Sequence, residues 1–167
     1  MKETRFWLLY FLLAVAQILL CNFLNLSQFM VLNILPMLII CLPVRYDTLA
    51  ALAIAFVTGL AVDFFSNGMM GMTVIALVPL ALVRHGIIGL VFGEEVYSRG
   101  ENISVRRQGL PKMALGILLS CAVFFSIYLA VESAGTQGFW RWLLRLLLSS
   151  LISTVVASIL AAQLESE

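Results

Sequence analysis

Residues 49–82 decide the class of fold, and they read LAALAIAFVTGLAVDFFSNGMMGMTVIALVPLAL. The stretch consists of two apolar segments separated by a short uncharged turn, and Asp63 is its only acidic residue. Four residues recur at a spacing of four: Ala51, Ala55, Gly59 and Asp63. On a helix these residues form one stripe, so the pattern predicts a close helix contact that ends at a carboxylate.

Asp63 needs an explanation because a carboxylate in or near hydrocarbon costs several kcal/mol unless it is paired or hydrated. Two interpretations are open. Asp63 either caps the turn at residues 66–68 at the membrane surface, or it pairs with a cation on another helix. We expect the partner to be Arg145, or else Arg141, because pairing removes the cost of an isolated charge.

The composition is that of an integral membrane protein. Of 167 residues, 62% are hydrophobic and 11% are charged, whereas soluble domains have about 45–50% apolar and about 25% charged residues. A helix needs about 20 apolar residues to cross the hydrocarbon core. The chain is therefore predicted to be one all-α membrane domain, residues 1–167, with six spans. They cover about residues 6–21, 29–42, 48–64, 69–90, 110–131 and 139–162.

The second predicted span, residues 29–42, is the weakest. At 1.5 Å per residue a helix of this length reaches about 21 Å, less than the roughly 30 Å of hydrocarbon, so a re-entrant segment is the alternative. The distribution of basic residues favours a full crossing. Six spans put eight of the ten Lys and Arg residues inside, and both termini are then cytoplasmic. Arg84 and His85 are expected to extend toward the cytoplasmic surface.

Span three is expected to begin at Thr48 with Asp47 as its N-cap. Span six carries a second stripe in which basic, hydroxyl and small side chains recur at a spacing of four. The stripe consists of Arg141, Arg145, Ser149, Ser153, Ala157 and Ala161. A span with such side chains on one side is suited to packing against other helices.

Signatures of catalysis and of metal binding are absent from the sequence. It has no glycine-rich phosphate loop and no nucleophile elbow, and one histidine cannot form a multi-histidine metal site. The three cysteines lie far apart, with no CxxC pair. We therefore expect no catalytic residue, no metal and no cofactor, and the candidate sites are surfaces between helices.

The segment FVTGLAVDFFSNGMMGMTVIAL, residues 56–77, resembles the rod-shape-determining protein family MreD. Members of that family tend to have a GLxxD helix, a Ser/Gly turn, a glycine and a further apolar helix. The matching residues here are Gly59, Leu60, Asp63, Ser66, Gly68 and Gly71. With the stripe of span six, the predicted helix-packing or partner-binding residues are Gly59, Asp63, Gly71, Arg141, Arg145, Ser149 and Ser153.

The resemblance implies a scaffold in the bacterial inner membrane that belongs to the cell-wall elongation machinery. Its implied partner is the single-span protein MreC, and through it the glycosyltransferase and transpeptidase of peptidoglycan synthesis and the MreB filament. Membrane lipid surrounds the bundle, and nucleic acid is not an expected partner. The family fold is thought to be similar to the S components of energy-coupling-factor transporters.

That similarity supplies the alternative function, which is substrate binding for a vitamin or micronutrient transporter. S components usually carry an AxxxA face on their first helix, which docks on the coupling subunit of the transporter. Ala14 and Ala16 lie two residues apart in this chain, and the loop that follows is short. Both features favour the scaffold.

Overall fold

The computed structural model describes residues 2–23, 32–44, 46–66, 70–93, 109–133 and 138–166. All regular secondary structure in these residues is α-helical, as predicted. We number six helices in chain order. They are α1 (Lys2–Phe23), α2 (Leu35–Cys41), α3 (Thr48–Phe65), α4 (Met72–Phe92), α5 (Leu110–Ser133) and α6 (Phe139–Ser166).

Four helices are long and apolar enough to cross a membrane, namely α3, α4, α5 and residues Phe139–Ala161 of α6. They cover the segments predicted for spans three to six. In α1 the apolar part is the shorter stretch Trp7–Asn22. The start of α3 is capped as expected, because the Asp47 carboxylate accepts a 2.8 Å hydrogen bond from the backbone N–H of Thr48.

The helix predicted for residues 29–42 is much shorter in the structure. Its described part contains only α2, which has 7 residues and is therefore about 10 Å long. Pro36 lies in the first turn of α2, where its missing N–H costs nothing. Leu42, just beyond the other end, adopts an extended conformation because the ring of Pro43 disfavours the α region in the preceding residue. Pro36 and Pro43 thus restrict the length of α2.

Non-helical backbone precedes α2, and side chains from two other helices satisfy its polar groups. The Gln17 side chain is fully buried; its Nε2 donates to the carbonyl of Leu32 at 3.2 Å, and its Oε1 accepts from the N–H of Ile34 at 2.9 Å. The N–H of Asn33 donates to Ser153 Oγ at 3.2 Å. Such backbone is tolerated at membrane depth only where it is enclosed by protein or water and hydrogen-bonded.

Helices α1 and α3 run in the same direction. The Trp7 and Tyr46 rings near their starts are 6.0 Å apart, and Asn22 near the end of α1 donates to the carbonyl of Phe65 at the end of α3. Because both helices rise from the same end of the bundle, the chain must return to that end between them. The described part of this return is residues 32–44, in which α2 packs against α1, α4 and α5.

The core is centred on α2. Leu35, Ile39 and Ile40 are completely buried, as are Phe124 and Phe125 of α5. The long helices α3, α4, α5 and α6 pack as successive neighbours around this core. The bundle therefore has a short apolar helix inside a layer of longer ones, and this arrangement places the polar residues discussed below.

Candidate functional site

Asp63 caps the helix that follows its own. Its side chain is 6% exposed, and one carboxylate oxygen accepts hydrogen bonds from the N–H of Gly71 at 2.9 Å and of Thr73 at 3.0 Å. The same oxygen accepts a longer bond of 3.4 Å from Val74. The first N–H groups of a helix have no partner within it, and a negative charge there is favourable. Asp63 therefore ties the end of α3 to the start of α4.

Gly71 makes this capping possible. It is the N-cap residue of α4 and has a φ of 95°, a conformation that other residues rarely adopt. Its side-chain-free backbone places its N–H within reach of Asp63. The two residues form one structural unit, although they are eight positions apart.

Gly59 lies at a close contact between α3 and α4. A Cβ atom at Gly59 would lie 3.1 Å from Cα and Cγ2 of Val74 and 3.2 Å from its N. Ala55 and Ala51, about one and two turns earlier, are also buried. The stripe predicted from the sequence is thus occupied by contacts within this chain.

We expect Gly59→Ala to lower the free energy of unfolding by about 2 kcal/mol, since the nearest atoms include backbone that cannot rotate away. Gly86→Ala is the matched control, because a Cβ there meets nothing within 4 Å. Its expected effect is a gain of up to about 1 kcal/mol from helix propensity. Equilibrium unfolding of both purified variants in mixed micelles measures the difference. Equal effects would contradict the close contact.

The Asp63–Arg145 pair expected from the sequence is not formed. Nη2 of Arg145 instead lies 3.2 Å from both carboxylate oxygens of Glu132. Glu132 lies near the end of α5 and Arg145 near the start of α6, and the hairpin between these helices brings the two charges together. Arg141 is exposed.

The hydroxyl stripe of α6 faces the interior of its own bundle. Ser149 and Ser153 are buried, and Ser153 accepts from the backbone before α2. Ser150 and Thr154, which lie beside this stripe on α6, donate to carbonyls of their own helix at 3.0 Å and 2.6 Å. In this fold the stripe packs α6 against the rest of the chain.

Arg84 was expected to extend toward the membrane surface, and this prediction is wrong. The side chain is 3% exposed, and its Nη2 donates a hydrogen bond to the carbonyl of Leu42. That carbonyl lies just beyond α2, where the last carbonyls of a helix need donors and a positive charge is favourable. His85 is exposed.

An apolar groove of about 710 Å³ lies between α1 and α3. Its walls include Phe11, Ala14 and Val15 of α1 and Ala53, Val57 and Ala61 of α3. Tyr10 and Thr58 also line it, and their hydroxyls are hydrogen-bonded to each other at 2.9 Å. The sequence analysis missed this groove. The available signal was the four-residue spacing of Ala53, Val57 and Ala61, beside the buried stripe.

Comparisons with protein-family models, with curated proteins and with solved structures gave no match. Within the described residues, no three His, Cys, Asp or Glu side chains are grouped as metal ligands. The functional argument therefore depends on the chain's own contacts.

Proposed function

We propose that this protein is a non-catalytic scaffold of the bacterial cell-wall elongation machinery, located in the inner membrane, which binds the single-span protein MreC. The observation that carries the proposal is how the bundle uses its buried polar side chains. Gln17, Asp63 and Arg84 each bond to backbone groups of the same chain. Polar groups used in this way hold a particular helix arrangement, which is what a binding scaffold requires.

The residues that carry the resemblance to MreD support the same proposal. Gly59 gives α3 and α4 their close contact, Asp63 caps α4, and Gly71 supplies the backbone that Asp63 binds. A sequence pattern with these three roles specifies a helical hairpin. We propose that the partner binds to the surface that this hairpin forms in the membrane.

We further propose that the chain crosses the membrane six times with both termini in the cytoplasm. The parallel directions of α1 and α3 support this, since residues between them must return across the bundle. Cysteine labelling tests it in a background where Cys21, Cys41 and Cys121 are alanine. We expect a cysteine at position 136 to react with an impermeant maleimide in intact cells, and a cysteine at position 98 only after lysis. Labelling at position 98 from outside would refute the topology.

Depletion in a rod-shaped host tests the function. We expect depleted cells to become round, and the tagged wild-type protein to recover MreC from solubilised membranes. The vitamin-binding alternative has one observation in its favour: interrupted crossing segments such as residues 32–41 also form binding sites in transporters. Tight, saturable binding of a vitamin by the purified protein, with normal cell shape after depletion, would favour that alternative and overturn the scaffold.

A further inference from the structure

We propose that this protein thins the bilayer on its α1–α3 side and selects lipids with short acyl chains there. This property is independent of the proposed partner and requires only that the long helices cross a membrane. It follows from a difference in apolar height between two sides of the bundle. Polar side chains that the fold holds in place limit the α1–α3 side at both ends, and they leave it shorter than the α5–α6 side.

Two exposed polar side chains fix the apolar height of the α1–α3 side. At one end, the Asp47 carboxylate accepts from the N–H of Thr48 at 2.8 Å. At the other end, the Asn22 side chain donates to the carbonyl of Phe65 at 3.1 Å. Both are thus tied to the ends of α3, which has 18 residues and is about 27 Å long. The apolar part of α1, Trp7–Asn22, is about 24 Å long.

The α5–α6 side is taller. Lys112 and Glu132, exposed near the two ends of α5, are separated by an uncharged stretch about 30 Å long. In α6 the exposed Arg141 is followed by a stretch to Ala161 of about 30 Å. Its one charged residue, Arg145, is buried. This side therefore matches the roughly 30 Å of hydrocarbon.

The two sides lie at opposite ends of the series of helices. The helices α3, α4, α5 and α6 pack as successive neighbours, and α1 packs against α3. A position in the bilayer that suits the α5–α6 side therefore leaves the α1–α3 side about 3–6 Å short of the hydrocarbon thickness. Tilting cannot correct this, because a tilted helix spans less of the bilayer than an upright one.

The bilayer has to adapt on the short side because Asp47 cannot. A carboxylate drawn into hydrocarbon is strongly unfavourable. Lysine and arginine can extend a long side chain to the surface, but the short side chain of Asp47 is held at the start of α3 by its hydrogen bond to Thr48. The side chains above it face outward, and Phe56, Val57 and Phe64 are at least half exposed. An apolar surface of this height requires a locally thinner bilayer.

Fluorescence quenching tests the lipid selection at each side. In the purified full chain, Trp7, Trp140 and Trp142 are replaced by Phe. One tryptophan is then introduced by Val57→Trp on α3 or by Leu151→Trp on α6; these positions are 64% and 52% exposed. Brominated dioleoylphosphatidylcholine quenches a tryptophan that it contacts, and unbrominated lipids compete with it.

We expect the short-chain dimyristoleoylphosphatidylcholine to compete about twofold to threefold better than dioleoylphosphatidylcholine at position 57. At position 151 we expect no such advantage. Equal competition at both positions, or a preference for the longer lipid at position 57, would overturn the proposal. Absence of quenching at position 57 would also overturn it, because a helix or a second copy would then cover this side. If Val57→Trp does not fold, the native Trp7 and Trp140 provide the same comparison between α1 and α6.

Substitution of Asp47 tests the cause of the selection. Asp47→Leu removes the polar limit at one end of α3, and the preference for the short-chain lipid at position 57 should fall to the value at position 151. Asp47→Asn is the matched control, because it keeps a short polar cap at the same place and should keep the preference. A preference that persists unchanged in Asp47→Leu would show that Asp47 does not set the apolar height.

Discussion

Asp63→Ala should lower the free energy of unfolding of the bundle by about 4 kcal/mol. The carboxylate accepts from the N–H groups of Gly71, Thr73 and Val74 at the start of α4. Each buried donor left without an acceptor costs about 1–3 kcal/mol, and the favourable interaction with the helix dipole is lost as well. Equilibrium unfolding in mixed micelles, followed by tryptophan fluorescence, measures the change.

Asp47→Ala is the matched control for this substitution. It removes another helix-capping aspartate, but one that is exposed and accepts a single N–H bond, from Thr48. Its expected cost is about 1 kcal/mol. Asp63→Asn keeps one acceptor oxygen and should fall between the two. Similar losses of unfolding free energy for Asp47→Ala and Asp63→Ala would contradict the prediction that the buried cap on α4 contributes more to stability than an exposed cap.

A charge swap separates this account from the pairing expected from the sequence. If Asp63 bound Arg145, then Asp63→Arg combined with Arg145→Asp would restore stability. In the structure Asp63 binds backbone N–H groups and Arg145 binds Glu132. An arginine at position 63 cannot accept those hydrogen bonds. We therefore expect the double variant to be no more stable than either single variant.

The long helices could be predicted from the sequence because their signal is local. The helices α3 to α6 are continuous apolar stretches bounded by turn or capping residues, and such a signal needs no knowledge of neighbours. The cap of α3 by Asp47 follows the same logic, because donor and acceptor are adjacent in the chain. Where the determinant is local, the sequence analysis and the structure agree.

Segment 29–42 could not be predicted in the same way. Its apolar composition is compatible with a span, although Pro36 and Pro43 restrict its helix to 7 residues. The backbone before α2 is stable only because Gln17 and Ser153, which lie far away in sequence, supply its hydrogen bonds. An uncharged polar residue within a span does not by itself identify its hydrogen-bond partner.

Of the two interpretations of Asp63, pairing with Arg145 is wrong, and capping is closer to the structure, in which the buried carboxylate caps the start of α4. A buried charge needs compensation, and the backbone N–H groups in the first turn of a helix supply it as a cation does. The start of α4 packs against the end of α3, so these N–H groups lie within hydrogen-bond distance of the carboxylate. The ion pair that does form, between Glu132 and Arg145, likewise joins two helices that are adjacent in sequence. In both cases the hydrogen-bond partner lies on the helix that is next in the chain.

Gln17→Leu should lower the free energy of unfolding by about 3 kcal/mol and loosen the segment before α2. The substitution replaces the amide with an apolar side chain of similar size and removes both hydrogen bonds, to the carbonyl of Leu32 and from the N–H of Ile34. The two backbone groups would then be buried without partners, and each costs about 1–3 kcal/mol. In lipid there is no nearby water to replace Gln17.

Hydrogen–deuterium exchange in nanodiscs locates the effect. We expect peptides covering residues 32–41 to exchange faster in Gln17→Leu, while peptides from α5 keep their wild-type protection. Ser120→Ala is the control, because the buried Ser120 hydroxyl donates only to the Gly116 carbonyl of its own helix, which retains its helical hydrogen bond. If both variants left residues 32–41 equally protected, the interrupted segment would have to be held by apolar packing around α2 alone.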